Sequence, residues 1–187
     1  MLKRIVQPEF FIGNLGNTQA PDEVLSACNK FFSQHQNEYR AEVGDDGVNT
    51  RIRNCYVDWI PTTTVNFINT GLAKIIHHIN DQQFNLQLDQ QWETNLQYTK
   101  YIDKGHFFDW HQDAYADQVT SIRKISIVYC LSHKKDYTGG EFQIKQKDST
   151  YTTKFDYGDF IVFPSNVLHR VKPLKKGQRI TIVGWYY

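Results

Sequence analysis

The stretch Tyr101-Ile-Asp-Lys-Gly-His-Phe-Phe-Asp-Trp-His-Gln-Asp113 decides how the rest of the chain is read. It ends in an imidazole and a carboxylate two positions apart. In an extended strand, residues i and i+2 share a face, so His111 and Asp113 can reach one point in space. A second imidazole stands in Phe163-Pro-Ser-Asn-Val-Leu-His169-Arg-Val171. Two histidines and one carboxylate form the donor set that binds ferrous ion on one face and leaves about three octahedral positions open. Arg179 follows in Gly177-Gln-Arg-Ile-Thr-Ile-Val-Gly-Trp185, and a guanidinium there can hold a carboxylate in two-pronged geometry. Each residue alone has an ordinary reading. Polar side chains on a half-exposed strand are usually solvated, and His169 alone fits a satisfied core histidine. The combination is what points to a metal beside a bound carboxylate.

Working outward, Leu96–Tyr101 reads as a strand, Asp103-Lys-Gly105 as a bend, and alternating Phe84, Leu86 and Leu88 as a further strand. Tyr98 and Tyr101 are oddly spaced and face opposite sides. Ala114–Thr120 is a polar loop. Arg123–Leu131 is a strong β-branched strand with Ile125, Ile127 and Tyr129 on one face and Lys124, Ser126, Val128 and Cys130 on the other. Tyr137–Gly140 and Gly158-Asp159 are turns leading into the strands Glu141–Ile144 and Phe160–Phe163. Val167, His169 and Val171 share a face, as do Arg179, Thr181, Val183 and Trp185. Lys172–Gly177 is expected to join these two strands as a hairpin loop, its lysines Lys172, Lys175 and Lys176 solvated. With Val171 opposite Arg179, His169 and Arg179 would be diagonal neighbours, their Cβ atoms about 7–8 Å apart. Many short strands set off by glycine turns predict a sandwich or barrel.

The first ninety residues read as support. Glu9–Ile12 is a short strand ended by Gly13-Asn14 and Gly16-Asn17. Pro21-Asp-Glu23 suits a helix first turn, with Val24, Leu25, Cys28, Phe31, Phe32 and His35 following at helical spacing. Gly44-Asp-Asp-Gly47 is a turn, and Arg51–Trp59 is extended. Thr62 or Thr63 is placed to cap a second helix, whose stripe is Val65, Ile68, Leu72, Ile75, Ile76 and Ile79. His77 and His78 splay apart by about 100° on that helix, which suits its C-terminal end better than a shared metal.

The bulk composition narrows the classes. The chain has 187 residues, 40% hydrophobic and 14% aromatic, which suggests one globular, β-rich domain. With 21 basic and 20 acidic residues the net charge is +1, so no global field favours nucleic acid. No apolar run approaches a membrane span, and Met1–Pro8 lacks the apolar core of a signal peptide. Three scattered cysteines, Cys28, Cys55 and Cys130, argue against a disulfide framework or zinc site. The default expectation is a cytoplasmic protein without membrane partners.

Tyr101, Gly105, His111, Asp113, Arg123, Gly139, Gly140, His169, Gly177, Arg179 and Trp185 together resemble the pattern of the iron(II)/2-oxoglutarate dioxygenases, in particular the prolyl-4-hydroxylase-like branch. The resemblance covers residues 96–187 and is weak before residue 90. It implies a mainly β double-stranded β-helix, or jelly roll, with N-terminal helices. The expected organisation is one domain over 1–187, with 1–90 as helical support and flap and 91–187 as metal-binding core. It further implies Fe(II) on His111, Asp113 and His169, with 2-oxoglutarate and O2 as cosubstrates and ascorbate as a candidate accessory reductant. Arg179, Tyr101 and Ser126 would contact 2-oxoglutarate, Cys130 would face the pocket, and Arg123 and Trp185 would meet the substrate. Tyr101 is favoured over Tyr98 by its position relative to His111. For Arg123 a solvated arginine is the competing reading, and for Arg51–Trp59 a flap competes with an ordinary sheet edge. The implied reaction is hydroxylation, coupled to decarboxylation of 2-oxoglutarate to succinate, of a prolyl residue in a peptide or protein. A free amino acid, another peptidyl residue or a nucleobase are alternatives. A non-catalytic jelly-roll binding module and a metal-dependent cupin are the other classes. The first would have lost a ligand, and the second would leave Arg179 without a role.

Overall fold

A computed structural model of the chain describes residues 10–16, 18–35, 39–42, 47–89, 91–115, 122–153 and 155–187. Met1–Glu9, Asn17, Gly44–Asp46 of the expected turn and residues 116–120 of the expected loop lie outside them. The strands, in chain order, are β1 (Phe11–Asn14), β2 (Tyr39–Arg40), β3 (Arg53–Asn54), β4 (Tyr56–Pro61), β5 (Asn95–Tyr101), β6 (Phe107–His111), β7 (Ile125–Cys130), β8 (Tyr137–Gly139), β9 (Phe142–Gln146), β10 (Ser149–Thr152), β11 (Asp159–Pro164), β12 (His169–Val171), β13 (Leu174–Gly177) and β14 (Arg179–Tyr186). Two helices, α1 (Ala20–Gln34) and α2 (Ala73–Ile79), lie among them.

Seven strands form one sheet in the order β1-β11-β7-β14-β5-β4-β2, and five form a second in the order β10-β9-β12-β6-β3. The sheets enclose one apolar cluster, and the larger sheet packs its other face against the helices in a second. This is the expected jelly roll with N-terminal helices. Strand alternation assigns each side chain of the larger sheet to one cluster or the other. Ile125, Ile127 and Tyr129 of β7, Leu96 and Tyr98 of β5, and Ile182 of β14 face the helices. They meet Val24 and Cys28 of α1, and the stripe Val65, Ile68, Leu72, Ile76 and Ile79. Each fully buried branched aliphatic here contributes about 1.5–3 kcal/mol, so this outer layer carries much of the stability.

Three expectations are corrected in and beside the helical layer. The segment holding the second stripe is not a regular capped helix. It opens with a 3-10 turn, Thr62–Thr64, widens to π-helical turns at Phe67–Leu72 and Asn80–Phe84 on either side of α2, and has no side-chain cap. Thr62 Oγ1 instead donates to the Glu93 carbonyl at 2.7 Å, which ties the turn to the sheet. Leu86 and Leu88 are not in a strand. Asn85 turns left-handed at φ 51°, and the Asn80 amide donates to Leu86 O and accepts from Leu86 N, taking the bonds a neighbouring strand would make. His77 does not act on its helix end alone, since its Nε2 meets the Tyr186 hydroxyl at 2.8 Å.

The largest correction concerns β12 and β14. They are not a hairpin: β12 pairs with β6 and β9 in the smaller sheet, and β14 pairs with β5 and β7 in the larger. The connecting lysine segment is itself a strand, β13, paired with β8. Its end at Gly177 has φ 81°, and a Cβ there would lie 1.9 Å from the Asp136 carbonyl oxygen, so only glycine fits. His169 and Arg179 therefore face one another from opposite sheets rather than along one ribbon. Arg51–Trp59 is likewise no free flap. Its residues supply β3 to the smaller sheet and β4 to the larger, with Cys55 between, and so close one side of the sandwich.

Candidate active site

His111 and His169 are directly paired across β6 and β12, so both imidazoles project from the inner face of the smaller sheet at one level. Asp113 follows just past the end of β6. Its backbone N–H donates to Ser165 O at 2.8 Å, turning the carboxylate back toward the histidines. His111 Nε2 lies 3.8 Å from Asp113 Oδ1, and His169 Nε2 lies 3.6 Å from Asp113 Oδ2. One ligand atom from each residue lies within 4.8 Å of the others. Among the described residues no other such group occurs.

The protonation pattern follows from hydrogen bonding. His111 Nδ1 is 2.7 Å from Asp109 O, and His169 Nδ1 is 2.9 Å from Val167 O. A carbonyl only accepts, so each Nδ1 carries a proton, and Nε2 is the ring atom turned toward the carboxylate and placed to bind a metal. Burial, reinforced by the neighbouring imidazole, holds His111 well below the usual histidine range and hence neutral. Burial by itself would raise the Asp113 carboxyl, but the two imidazoles and the Ser126 hydroxyl reverse this and hold it below its ordinary value. Ser126 Oγ donates to Asp113 Oδ2 at 2.7 Å and also meets Ser165 Oγ at 2.9 Å. Phe108 stacks on His111 at 3.4 Å, while Phe142 and Phe163 flank His169. The donor set thus fits a divalent ion: two imidazoles turning Nε2 to one point, and an ionised, oriented carboxylate.

These residues open on a cavity of about 500 Å3 between the sheets. Opposite the triad, Arg179 is 1% exposed, and its Nε, Nη1 and Nη2 have no hydrogen-bond partner. The guanidinium lies over the rings of Tyr101 and Phe155, at 5.3 and 5.9 Å. The hydroxyl of Tyr137, beside it, is committed to Phe155 O at 3.0 Å. Gly140, at φ 63°, closes over the stem: a Cβ would stand 3.1 Å from Arg179 Cδ. An unpaired buried guanidinium costs several kcal/mol; the two rings offset part of this, and an anion in the cavity would supply the rest. The arrangement therefore also fits a dicarboxylate reaching from the metal to Arg179, as 2-oxoglutarate would.

Of the other expected site residues, Tyr101 lines the cavity opposite Arg179 in the β5–β14 register, whereas Tyr98 belongs to the helix-side layer. Arg123 and Trp185 both line it. Arg123 is not a solvated arginine: it grips Glu93 with two bonds of 2.7 and 2.9 Å and lies 3.8 Å over the Trp185 ring. Ser126 stands behind Asp113 rather than on the cavity wall, where Val128, two residues along β7, takes the expected place. Cys130 packs into the apolar layer between the sheets, its thiol 3.4 Å from Ser132 O.

Gln97, Thr99 and Trp110 were not anticipated on the wall, whereas Arg53 and Trp59 come from the segment read as a flap or sheet edge. Gln97 and Thr99 alternate with Tyr101 along β5, so the period-2 rule applied backward from Tyr101 finds them. Arg53 gives no local signal, because the strand that orients it, β6, lies more than fifty residues away.

Residues 96–187 match the 2OG-Fe(II) oxygenase superfamily. A PKHD-type hydroxylase of Prochlorococcus marinus (strain MIT 9515) is 34% identical over 115 residues, 62% of this chain and 43% of the relative. The chain spans less than half the length of the curated relatives it matches. Two solved structures share the fold. One is a prolyl hydroxylase of Trichoplax adhaerens in complex with a hypoxia inducible factor peptide fragment (TM-score 0.78, 19% identity, 96% of this chain and 84% of that one). The other is a Pseudomonas putida prolyl-4-hydroxylase (TM-score 0.73, 19% identity, 96% and 92%). With the triad and Arg179 inside the matched segment, residues 96–187 belong to the 2OG-Fe(II) oxygenase superfamily.

Proposed function

We propose that this protein is an Fe(II)- and 2-oxoglutarate-dependent hydroxylase of prolyl residues in peptides or proteins. The observation that carries the reading is the pairing, in one cavity, of a His-Asp-His donor set with a buried guanidinium that has no hydrogen-bond partner. His111 and His169 offer Nε2, and Asp113 a carboxylate oxygen, to the iron. The bound iron supplies dioxygen activation and the oxidising chemistry. Arg179 binds the far carboxylate of 2-oxoglutarate, and Tyr101 orients the same molecule from the adjacent strand. Phe108, Phe142 and Phe163 keep water from the imidazole pair and hold both rings in place. No side-chain acid or base is needed; the protein's work is binding, orientation and exclusion of water.

Support for a prolyl substrate comes from the mouth of the cavity. The exposed Trp59 and Tyr115 and the half-buried Trp110 line the cavity, and aromatic-lined grooves are a common surface on which proline-rich chains dock. The hydroxylase and prolyl hydroxylase relatives point the same way. Arg123, locked to Glu93, holds the Trp185 ring and is placed as a positioning residue for that substrate.

The test has two stages. Anaerobic addition of Fe(II) and 2-oxoglutarate is expected to give a visible charge-transfer band. Aerobic incubation, with ascorbate, of a proline-rich peptide library is then expected to release succinate and add one oxygen to a peptide by mass spectrometry. Succinate release with oxidation of free amino acids or nucleosides, and of no peptide, would refute the prolyl substrate and leave the oxygenase reading standing.

A further inference from the structure

Three guanidinium groups line the cavity: Arg53, Arg123 and Arg179. Arg123 is neutralised by Glu93, and the proposed function uses Arg179 for the cosubstrate. Arg53 remains. It is 7% exposed, projects inward from β3, and its Cζ lies 4.4 Å over Phe108, the ring that stacks on His111. Its N–H groups go only to uncharged acceptors: Cys55 Sγ at 3.4 Å, Glu42 O at 3.4 Å and Gln97 Oε1 at 2.5 Å. A guanidinium has five N–H donors, so two are left over. Among the described residues no carboxylate forms an ion pair with it. The Glu42 side chain, on the exposed rim, stays beyond that distance.

The register separates this charge from Arg179. Gln97 pairs with Val183, four residues along β14 from Arg179, which is roughly 13 Å of strand. On its other side Gln97 pairs with Trp59, which is 43% exposed. Through Gln97, Arg53 is tied to the part of the cavity wall that adjoins the exposed Trp59, four strand positions from Arg179. Charge accounting agrees. With a divalent ion and a dianionic cosubstrate in place, their charges and those of Asp113 and Arg179 cancel. Arg53 then leaves one buried positive charge uncompensated, which is costly without an anion beside it.

We propose that Arg53 anchors a carboxylate of the substrate, so that the group to be hydroxylated sits next to an anionic function. This rests on the hydroxylase reading above and narrows its substrate class. The carboxylate has two sources, an acidic side chain flanking the target in a peptide, or the free carboxylate of a small amino acid derivative.

The experiment is calorimetric binding to the anaerobic protein loaded with Fe(II) and 2-oxoglutarate, using matched carboxylate and amide ligands. The pairs are peptides with Glu or Gln on either side of proline, free proline and prolinamide, and N-acetylleucine and its amide. The carboxylate member of at least one pair is expected to bind about tenfold or more tighter, the scale of a charged hydrogen bond. The peptide pairs and the small-molecule pairs separate the two sources. Arg53→Gln is expected to bring that ratio near one, with Arg53→Lys keeping part of it. Gln97→Glu, which gives Arg53 an internal counter-ion, is expected to erase the preference even if Arg53→Gln fails to fold. Equal binding of carboxylate and amide in every pair overturns the proposal, as does a preference that survives in Arg53→Gln or Gln97→Glu. A preference confined to the leucine pair supports the anchor and counts against the prolyl reading.

Discussion

The two faces of the seven-stranded sheet are made by the same strands and do opposite things. Toward the helices, β5, β7 and β14 present Leu96, Tyr98, Ile125, Ile127, Tyr129 and Ile182, all buried among apolar neighbours. Toward the smaller sheet, β5 and β14 present Gln97, Thr99, Tyr101, Arg179, Thr181 and Trp185, each on the cavity wall. Burial is nearly equal on the two sides, so exposure alone does not distinguish them. Hydrogen-bond satisfaction does. The inner face holds the Arg179 guanidinium, which has no hydrogen-bond partner, on a layer that needs a ligand to complete it. Stability is drawn from one side and specificity from the other, and a one-residue slip of any strand would exchange them.

Substitutions on the two faces should therefore fail in different ways. The largest effect is expected at the triad: His111→Ala, Asp113→Ala and His169→Ala each abolish Fe(II) binding measured by equilibrium dialysis. Retained binding in any one removes that residue from the metal site. Next, Arg179→Met is expected to keep the metal while 2-oxoglutarate affinity falls by about 2–5 kcal/mol, or roughly 30- to several-thousand-fold. Titration of the charge-transfer band measures this, and an unchanged midpoint excludes Arg179 as the anchor. On the outer face, Leu72→Ala is expected to cost about 2–5 kcal/mol of folding stability. At roughly 2–4 °C per kcal/mol for a chain of this size, that lowers the melting temperature of the metal-free protein. The 2-oxoglutarate titration midpoint of the folded variant stays put; a shift in that midpoint would mean that the two faces are coupled. The smallest effect is expected at Ser126→Ala, where loss of the hydrogen bond to Asp113 weakens Fe(II) affinity about 10- to 100-fold, read by competition with a chelator. Affinity equal to wild type would place Ser126 outside the metal site's support.

What could be read from the residues divides along a physical line. Strand alternation and turn chemistry are local, so the faces of β7 and β14, the bend at Gly105 and the spacing of His111, Asp113, His169 and Arg179 were all legible. Which sheet a strand joins is not local. The segment from His169 to Arg179 has the length and lysine-rich turn of a hairpin, yet β13 finds β8 and sends β14 into the other sheet. Alternation also misled at Leu86 and Leu88, because the same pattern suits an irregular segment whose backbone is satisfied by the Asn80 side chain. Arg53 was least legible of all: its burial depends on β6 and on Gln97, neither of which is near it in sequence.

The placement of the tryptophans has an optical consequence. The chain has four. Trp59, Trp110 and Trp185 line the cavity, and Trp92 lies in the outer layer against Tyr186. Three of the four intrinsic fluorophores therefore surround the site. Emission excited in the indole band reports chiefly on what enters the cavity, with Trp92 as an internal reference for the integrity of the helix-backed layer. Quenching by a ligand and loss of fold then register on different emitters, and both can be followed without an added label.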